Sequence, residues 1–269
     1  MLEMAQPRVR LAAVVLSLVV LAPACASDDG PRPAPAGPAA VADTRLTGSL
    51  TVFAAASLTE TFDDDKARLA PANPSLSLTF SYAGSQQLVA QISAGAPADV
   101  VATADGESMG RLVTAGLVDP PATFASNSLR IVVARGNPKG VKALSDLARS
   151  NLTVILADRS VPVGRYGQQA LDKAGVGVKP ASLELDVKAV VRKVASGEAD
   201  AGVVYATDVA AAGASVVGVD IPSEHNVVAT YPVAVVKATK NRPAAQAFVD
   251  QLLHGPGRDA LEAHGFLGP

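Results

Sequence analysis

Short runs of aliphatic and β-branched residues recur along the chain, each stopping in small residues and each followed by an amphipathic stretch. Leu50, Val52 and Phe53 predict a strand that runs into Ala54-Ala55-Ala56 and then Ser57-Leu58-Thr59-Glu60. Three alanines permit a tight turn. Ser57 and Glu60 have the S-x-x-E spacing of a capping box, which predicts a helix over about 57–69, stopping before Pro71. Leu76, Leu78 and Phe80 alternate with Ser and Thr in a second strand ending in Tyr82-Ala83-Gly84-Ser85, and Ser85 is placed to cap a helix over about 86–94. Val100-Val101-Ala102, with Asp105 as the next cap, repeats the unit. Residues 128–134 and 231–236 are the two strongest strand signals. Between them, 153–156 predicts a strand leading to Pro162 at a helix start, Asp186-Val187-Lys188-Ala189 opens another helix, and 201–205 predicts a strand before Asp208. A short helix over about 143–148 and two closing helices, over about 244–253 and 258–264, complete the pattern.

Alternating strands and helices predict parallel-sheet α/β architecture. The block of about a hundred residues between the two strong strands reads as an α/β unit of its own, so the chain divides into two lobes joined by two crossing segments with a cleft between them. The first lobe comprises 49–127 plus 231–269 and the second 128–230, with hinges near 126–128 and 230–232. Junctions where a strand feeds a helix start suit anions, because first-turn N–H groups lack intrahelical partners and the helix dipole is positive there.

Composition narrows the function classes. The 269 residues carry a formal net charge of −2, which gives no basic field for nucleic acid. Tryptophan is absent and aromatics make up 4%, too few for a stacking site for sugars or bases. Arg8 and Arg10 precede an apolar run from Leu11 to Leu21, too short for a lasting membrane span but suited to a signal-peptide core. Leu21-Ala22-Pro23-Ala24-Cys25 resembles the lipobox of bacterial lipoproteins, which implies that 1–24 is removed and that Cys25 is lipidated. The alternative is a plain secretory signal with an incidental cysteine. Residues 25–48, rich in Pro, Ala and Gly without periodicity, read as a flexible tether. The expected location is extracytoplasmic, with a lipid anchor in the cell membrane.

Catalytic signals are weak. Cys25 is the sole cysteine, so the globular part has neither a disulfide nor a thiol nucleophile. His225, His254 and His264 fall outside the strand-to-helix junctions, and neither G-x-S-x-G nor a metal-spaced cluster occurs. Asp63-Asp64-Asp65 reads as a solvated helix face, and Asp99 and Asp105 as turn and cap residues. The expectation is a binding protein, not an enzyme. Arg165, close to Val163, is the residue that would favour an organic carboxylate.

Several motifs in order carry a resemblance: Val52-Phe53-Ala54-Ala55-Ala56-Ser57-Leu58, Gly95-Ala96-Pro97-Ala98-Asp99-Val100, Val161-Pro162-Val163-Gly164, Gly202-Val203-Val204-Tyr205 with Asp208, and Tyr231-Pro232-Val233-Ala234-Val235-Val236. They resemble the molybdate-binding protein (ModA) family of bacterial ABC importers over essentially all of 50–269. The resemblance implies the type II periplasmic-binding-protein fold and a monomer that binds molybdate or tungstate in the cleft. It also implies delivery to an ABC permease with a cytoplasmic ATPase, and neither a cofactor nor direct protein ligands to the metal. The implied donors are the hydroxyl and amide of Ser57 and of Ser85, the amides of Ala104, Val163 and Val187, and the Tyr205 hydroxyl. This chain departs from the family pattern at Gly84-Ser85-Gln86, where a serine-rich turn is common, and at Val163, where alanine is common. Neutral N–H and O–H donors suit a tetrahedral dianion; the size of the cage would discriminate against sulfate, and the want of acceptors against protonated phosphate. The other readings are a receptor for another oxyanion such as sulfate or phosphate, an organic-acid receptor, and an enzyme that shares the fold.

Overall fold

The computed structural model describes Leu46 to Pro269; Cys25, the signal-like segment and nearly all of the Pro/Ala/Gly stretch lie outside the described residues. The first part of the chain forms β1 (Gly48–Ala55), α1 (Thr59–Leu69), β2 (Leu76–Ala83), α2 (Ser85–Ser93), β3 (Val100–Ala102), α3 (Gly106–Thr114) and β4 (Ala122–Asn127). There follow β5 (Leu129–Ala134), β6 (Val154–Ala157), α4 (Pro162–Lys173), β7 (Ser182–Glu184), α5 (Val187–Ala195), β8 (Ala201–Tyr205), α6 (Ala206–Ala212) and β9 (Val216–Asp220). The chain closes with β10 (Ala229–Val235), α7 (Arg242–His254) and α8 (Pro256–Ala263). The segment expected to be a helix at 143–148 is a 3-10 helix, Leu144–Ala148.

These strands make two five-stranded sheets, in the orders β2-β1-β3-β10-β4 and β7-β6-β8-β5-β9. The sheets are mixed, not wholly parallel. β1 is parallel to β2 and β3, and β6 to β7 and β8, but β10 runs antiparallel to β3 and β4, and β5 antiparallel to β8 and β9. The reason is the direction of entry. The parallel strands end at the junction between the sheets, whereas β5 and β10 have just crossed from the other sheet and start there, so they run the opposite way. Ser128 alone separates β4 from β5, and residues 221–228 carry the chain back, so 230–232 already lie within β10.

Apolar burial holds each sheet to its helices. Around the first sheet Phe62 of α1 meets Phe248 of α7 edge-on, ring centroids 6.0 Å apart, and lies 5.4 Å from Phe80 of β2. The three aspartates of α1 do not share a solvated face. Asp63 accepts from the Tyr82 hydroxyl at 2.8 Å, and Asp64 pairs with Arg68 and His264. Asp65 is buried and accepts from Gln251 at 2.8 Å, and burial pushes its carboxyl up to about 6. Neighbouring helical residues point in different directions, and Asp65 occupies the inward one. No described helix is long and apolar enough to cross a membrane.

Candidate functional site

The C-terminal ends of β1, β3 and β8 and the starts of α2, α4 and α5 surround one small cavity between the sheets. All six residues singled out from the sequence line it: Ser57, Ser85, Ala104, Val163, Val187 and Tyr205. The space open to the centre of a water-sized sphere is about 10 Å³, roughly that of one water molecule.

Each junction presents its residue by a different local route. β1 runs out in small alanines and turns through a 3-10 helix, Ala56–Leu58, before α1 begins. Ser57 therefore sits in the turn and does not cap α1, contrary to the capping-box expectation. Its hydroxyl lies 3.0 Å from the Tyr231 hydroxyl, and Glu60, the other half of the expected box, pairs with Lys188 Nζ at 2.6 Å. Ser85 is likewise not a cap. It is the first residue of α2, behind Gly84, whose N–H donates to Gln87 Oε1 at 3.1 Å. The Ser85 hydroxyl oxygen accepts the Ala104 N–H at 3.0 Å. The Ala104 amide, assigned by resemblance to the ligand, is thus engaged with Ser85.

Pro162 occupies the first turn of α4, where its missing N–H costs nothing, and Val163 follows with an amide that has no intrahelical acceptor. Val187 opens α5, whose cap Asp186 accepts the Ala189 N–H at 2.8 Å and leaves the Val187 amide free of the cap. Tyr205 ends β8. Its hydroxyl is buried and has no hydrogen-bond partner among the described residues. Burial, helped by neighbouring Tyr231, Tyr166 and Asp208, raises it well above the ordinary tyrosine value, so it stays a protonated donor. Leaving such a group unpaired costs about 1–3 kcal/mol, which a bound acceptor would recover.

This geometry can be set beside known proteins. Residues 50–267 match the family described as bacterial extracellular solute-binding protein. A molybdate-binding protein ModA of Mycobacterium tuberculosis is 38% identical over 247 residues, covering 91% of this chain and 92% of that protein. The chain belongs to the ModA family. Among solved structures, a substrate-binding domain of a putative molybdenum ABC transporter from Clostridium difficile is 29% identical, with a TM-score of 0.62, covering 82% of this chain and 99% of that one. The periplasmic molybdate-binding protein of Azotobacter vinelandii superposes with a TM-score of 0.70 at 22% identity, again covering 82% and 99%. The fold is therefore the two-lobed α/β fold of the periplasmic binding proteins, with one sheet to each lobe.

In this ModA family member no charged side chain among the described residues lines the cavity. The charges just outside are paired with one another, mostly across the lobes. Arg165 of α4 pairs with Asp105, which caps α3, and with Glu107 at 3.0 Å. Its guanidinium, weighed above as a partner for an organic carboxylate, is committed to these acids. Lys188 of α5 bridges Glu60 of α1 at 2.6 Å and the buried Asp208 at 3.0 Å. Burial works against the Lys188 charge, but Asp208 and Glu60 more than offset it and hold the lysine above its usual value. Burial likewise pushes Asp208 up to about 6 even with Lys188 beside it. Gln86 adds a third link by donating to Leu185 O at 2.9 Å.

Lys188, Gln86 and Tyr231 were not singled out from the sequence as site residues. Lys188 read only as part of a helix start, Gln86 only as part of a helix start and of a departure from the family pattern, and Tyr231 only as part of a strand and a family motif, because their partners are remote in the chain. Asp99, in contrast, plays the expected structural role, accepting from Thr51 N–H at 2.7 Å and from the Thr239 hydroxyl.

Proposed function

We propose that this protein captures molybdate, and tungstate with it, outside the cytoplasm and delivers it to an ABC importer. One observation supports the reading: a small cavity between the lobes lined by neutral donors at strand ends and helix starts, with Arg165 and Lys188 beside it already paired with acids. Ser57, Ser85, Val163, Val187 and Tyr205 are the proposed donors, with Ala104 behind Ser85. Such a set suits a dianion that brings only acceptors, and helix dipoles add favourable potential without a counter-ion that would have to be released. Hydrogen bonds to a charged group contribute about 1.5–3 kcal/mol each, so a few preorganised donors suffice for tight binding. Other ModA family members carry the name of molybdate-binding proteins, which supports this choice over sulfate or phosphate. The direct test is calorimetry with molybdate, tungstate, sulfate and phosphate. A single molybdate site is expected, and Ser57→Ala and Tyr205→Phe should each weaken it by about tenfold to a hundredfold. An unchanged affinity would take the substituted residue out of the site, and sulfate binding more tightly than molybdate would reassign the receptor.

The remaining proposals follow from the compartment. A receptor of this family acts by binding and release, with an ABC permease and its cytoplasmic ATPase as partners, and we propose that it works as a monomer. We also propose that Cys25 carries a lipid that tethers the domain to the membrane. A fatty-acid label incorporated by the intact chain and lost in Cys25→Ala is the expected result; equal labelling of both would refute the anchor.

A further inference from the structure

We propose that Lys188 and Arg165 are positioning residues: each ties a helix start of the second lobe to acids of the first, and together they set how long the bound anion stays. The inference rests on the molybdate reading given above. Both amides that the second lobe offers to the cavity come from helix starts, Val187 from α5 and Val163 from α4. Each is followed within two residues by a cation that reaches the opposite lobe. Lys188, directly after Val187, holds Glu60 of α1 at 2.6 Å. Arg165, two residues after Val163, holds Glu107 in the first turn of α3 at 3.0 Å, and Asp105, the cap of that helix. The ties join different helix pairs, α5 to α1 and α4 to α3, so they restrain the two helix starts separately.

Each cation also has an anchor in its own lobe. Lys188 lies 3.0 Å from Asp208 of α6, and Arg165 donates to the carbonyl oxygens of Arg159 at 3.2 Å and Ser160 at 2.9 Å. Parting the lobes therefore breaks only the cross-lobe half of each contact, and the cation stays where the acid can find it again. The side chains of Lys188 and Arg165 are only 18% and 19% exposed, so a missing acid is felt more than at an open surface pair. Attraction of the anion by net charge is a different role, and the surroundings oppose it. Two carboxylates face each cation, Glu60 and Asp208 on Lys188 and Asp105 and Glu107 on Arg165. Removing one acid separates the roles: it raises the positive potential beside the cavity but releases a helix start from the first lobe.

Glu60 and Glu107 are the acids to change, since their side chains are 43% and 53% exposed and neither lines the cavity. The test follows release of radiolabelled molybdate during a chase with unlabelled molybdate, with calorimetry for the affinity. In Glu60→Gln and in Glu107→Gln release should quicken by about twofold to fivefold, with the rate of association little changed. In the double variant the two factors should multiply, because the ties are separate. Thermal unfolding without ligand should match the parent, since glutamine at an exposed position disturbs neither core. Slower release or tighter binding in either variant would assign the cations to charge attraction, and parental release in the double variant would leave their pairs as surface contacts; either result overturns the proposal. A parent protein that retains no label would instead overturn the molybdate reading, and this inference with it.

Discussion

Gly164→Ala is expected to weaken molybdate binding by about a hundredfold or more and to lower thermal stability clearly. Gly164 lies in the first turn of α4, directly after Val163, where the helix start comes against the end of β6. A Cβ at this position would fall inside the contact distance of the Asp158 carbonyl oxygen and 2.6 Å from that of Ala157. Both obstacles are backbone, so no side chain can swing aside, and the first turn of α4 must shift. The Val163 amide moves with it, and a displacement of a few tenths of an ångström is enough to spoil a charge-assisted hydrogen bond. Gly110, inside α3, supplies the control: its added Cβ meets nothing within 4 Å, and alanine there should leave binding intact. Calorimetry and thermal unfolding of both variants check the claim, and parental affinity in Gly164→Ala would sink it.

Gly84→Ala is expected to act differently, weakening binding by about tenfold to a hundredfold while each lobe keeps its stability. The backbone at Gly84, φ −60 and ψ 140, suits any residue, so alanine brings no conformational strain. What it brings is a Cβ 2.5 Å from Leu185 O, a backbone atom between β7 and α5 on the opposite lobe, and 2.6 Å from the Gln86 amide group. Gln86 can move, but the Leu185 carbonyl cannot without parting the lobes. Alanine would then work as a wedge beside the cavity, holding α4 and α5 away from Ser57 and Ser85. Small-angle scattering should show less compaction on molybdate addition than in the parent, with an unchanged unfolding temperature in the absence of ligand. A lowered temperature with normal compaction would place the effect inside the first lobe instead.

The contrast between these glycines shows how far local sequence reaches. Both stand in motifs visible along the chain, yet whether an added methyl meets nothing, a neighbouring turn or the other lobe depends on packing. The strands divide in the same way. β1, β2, β5, β8 and β10 announce themselves as β-branched or alternating runs. β4, β7 and β9, with the sequences Ala-Thr-Phe-Ala-Ser-Asn, Ser-Leu-Glu and Val-Val-Gly-Val-Asp, were not legible. All three are edge strands of their sheets: β7 is only three residues long, β9 has a single buried residue, and β4, though buried over its last four residues, is built of small and polar residues around one phenylalanine, so none has the apolar run of a central strand. Asp65 shows the converse, since three consecutive carboxylates look solvated until α7 packs over one of them.

By itself the sequence determined the repeat of strand and helix and the two lobes, and through its family resemblance it named residues that line one cavity. A free first-turn N–H is a local property of a helix start, so the amides near Val163 could be named from residue order, whereas Val187 was implied only by the family resemblance. Tertiary structure alone decided what the donors are bonded to. Ser57 meets Tyr231 across 174 positions and Lys188 meets Glu60 across 128, and even Ser85 and Ala104 stand 19 apart. These contacts turn a presumed cap into a partner of Tyr231, an expected ligand amide into a donor to Ser85, and Arg165 into half of an interlobe pair. The direction of a hydroxyl and the pairing of a charge depend on what folding brings alongside them, and residue order does not encode that in any local pattern.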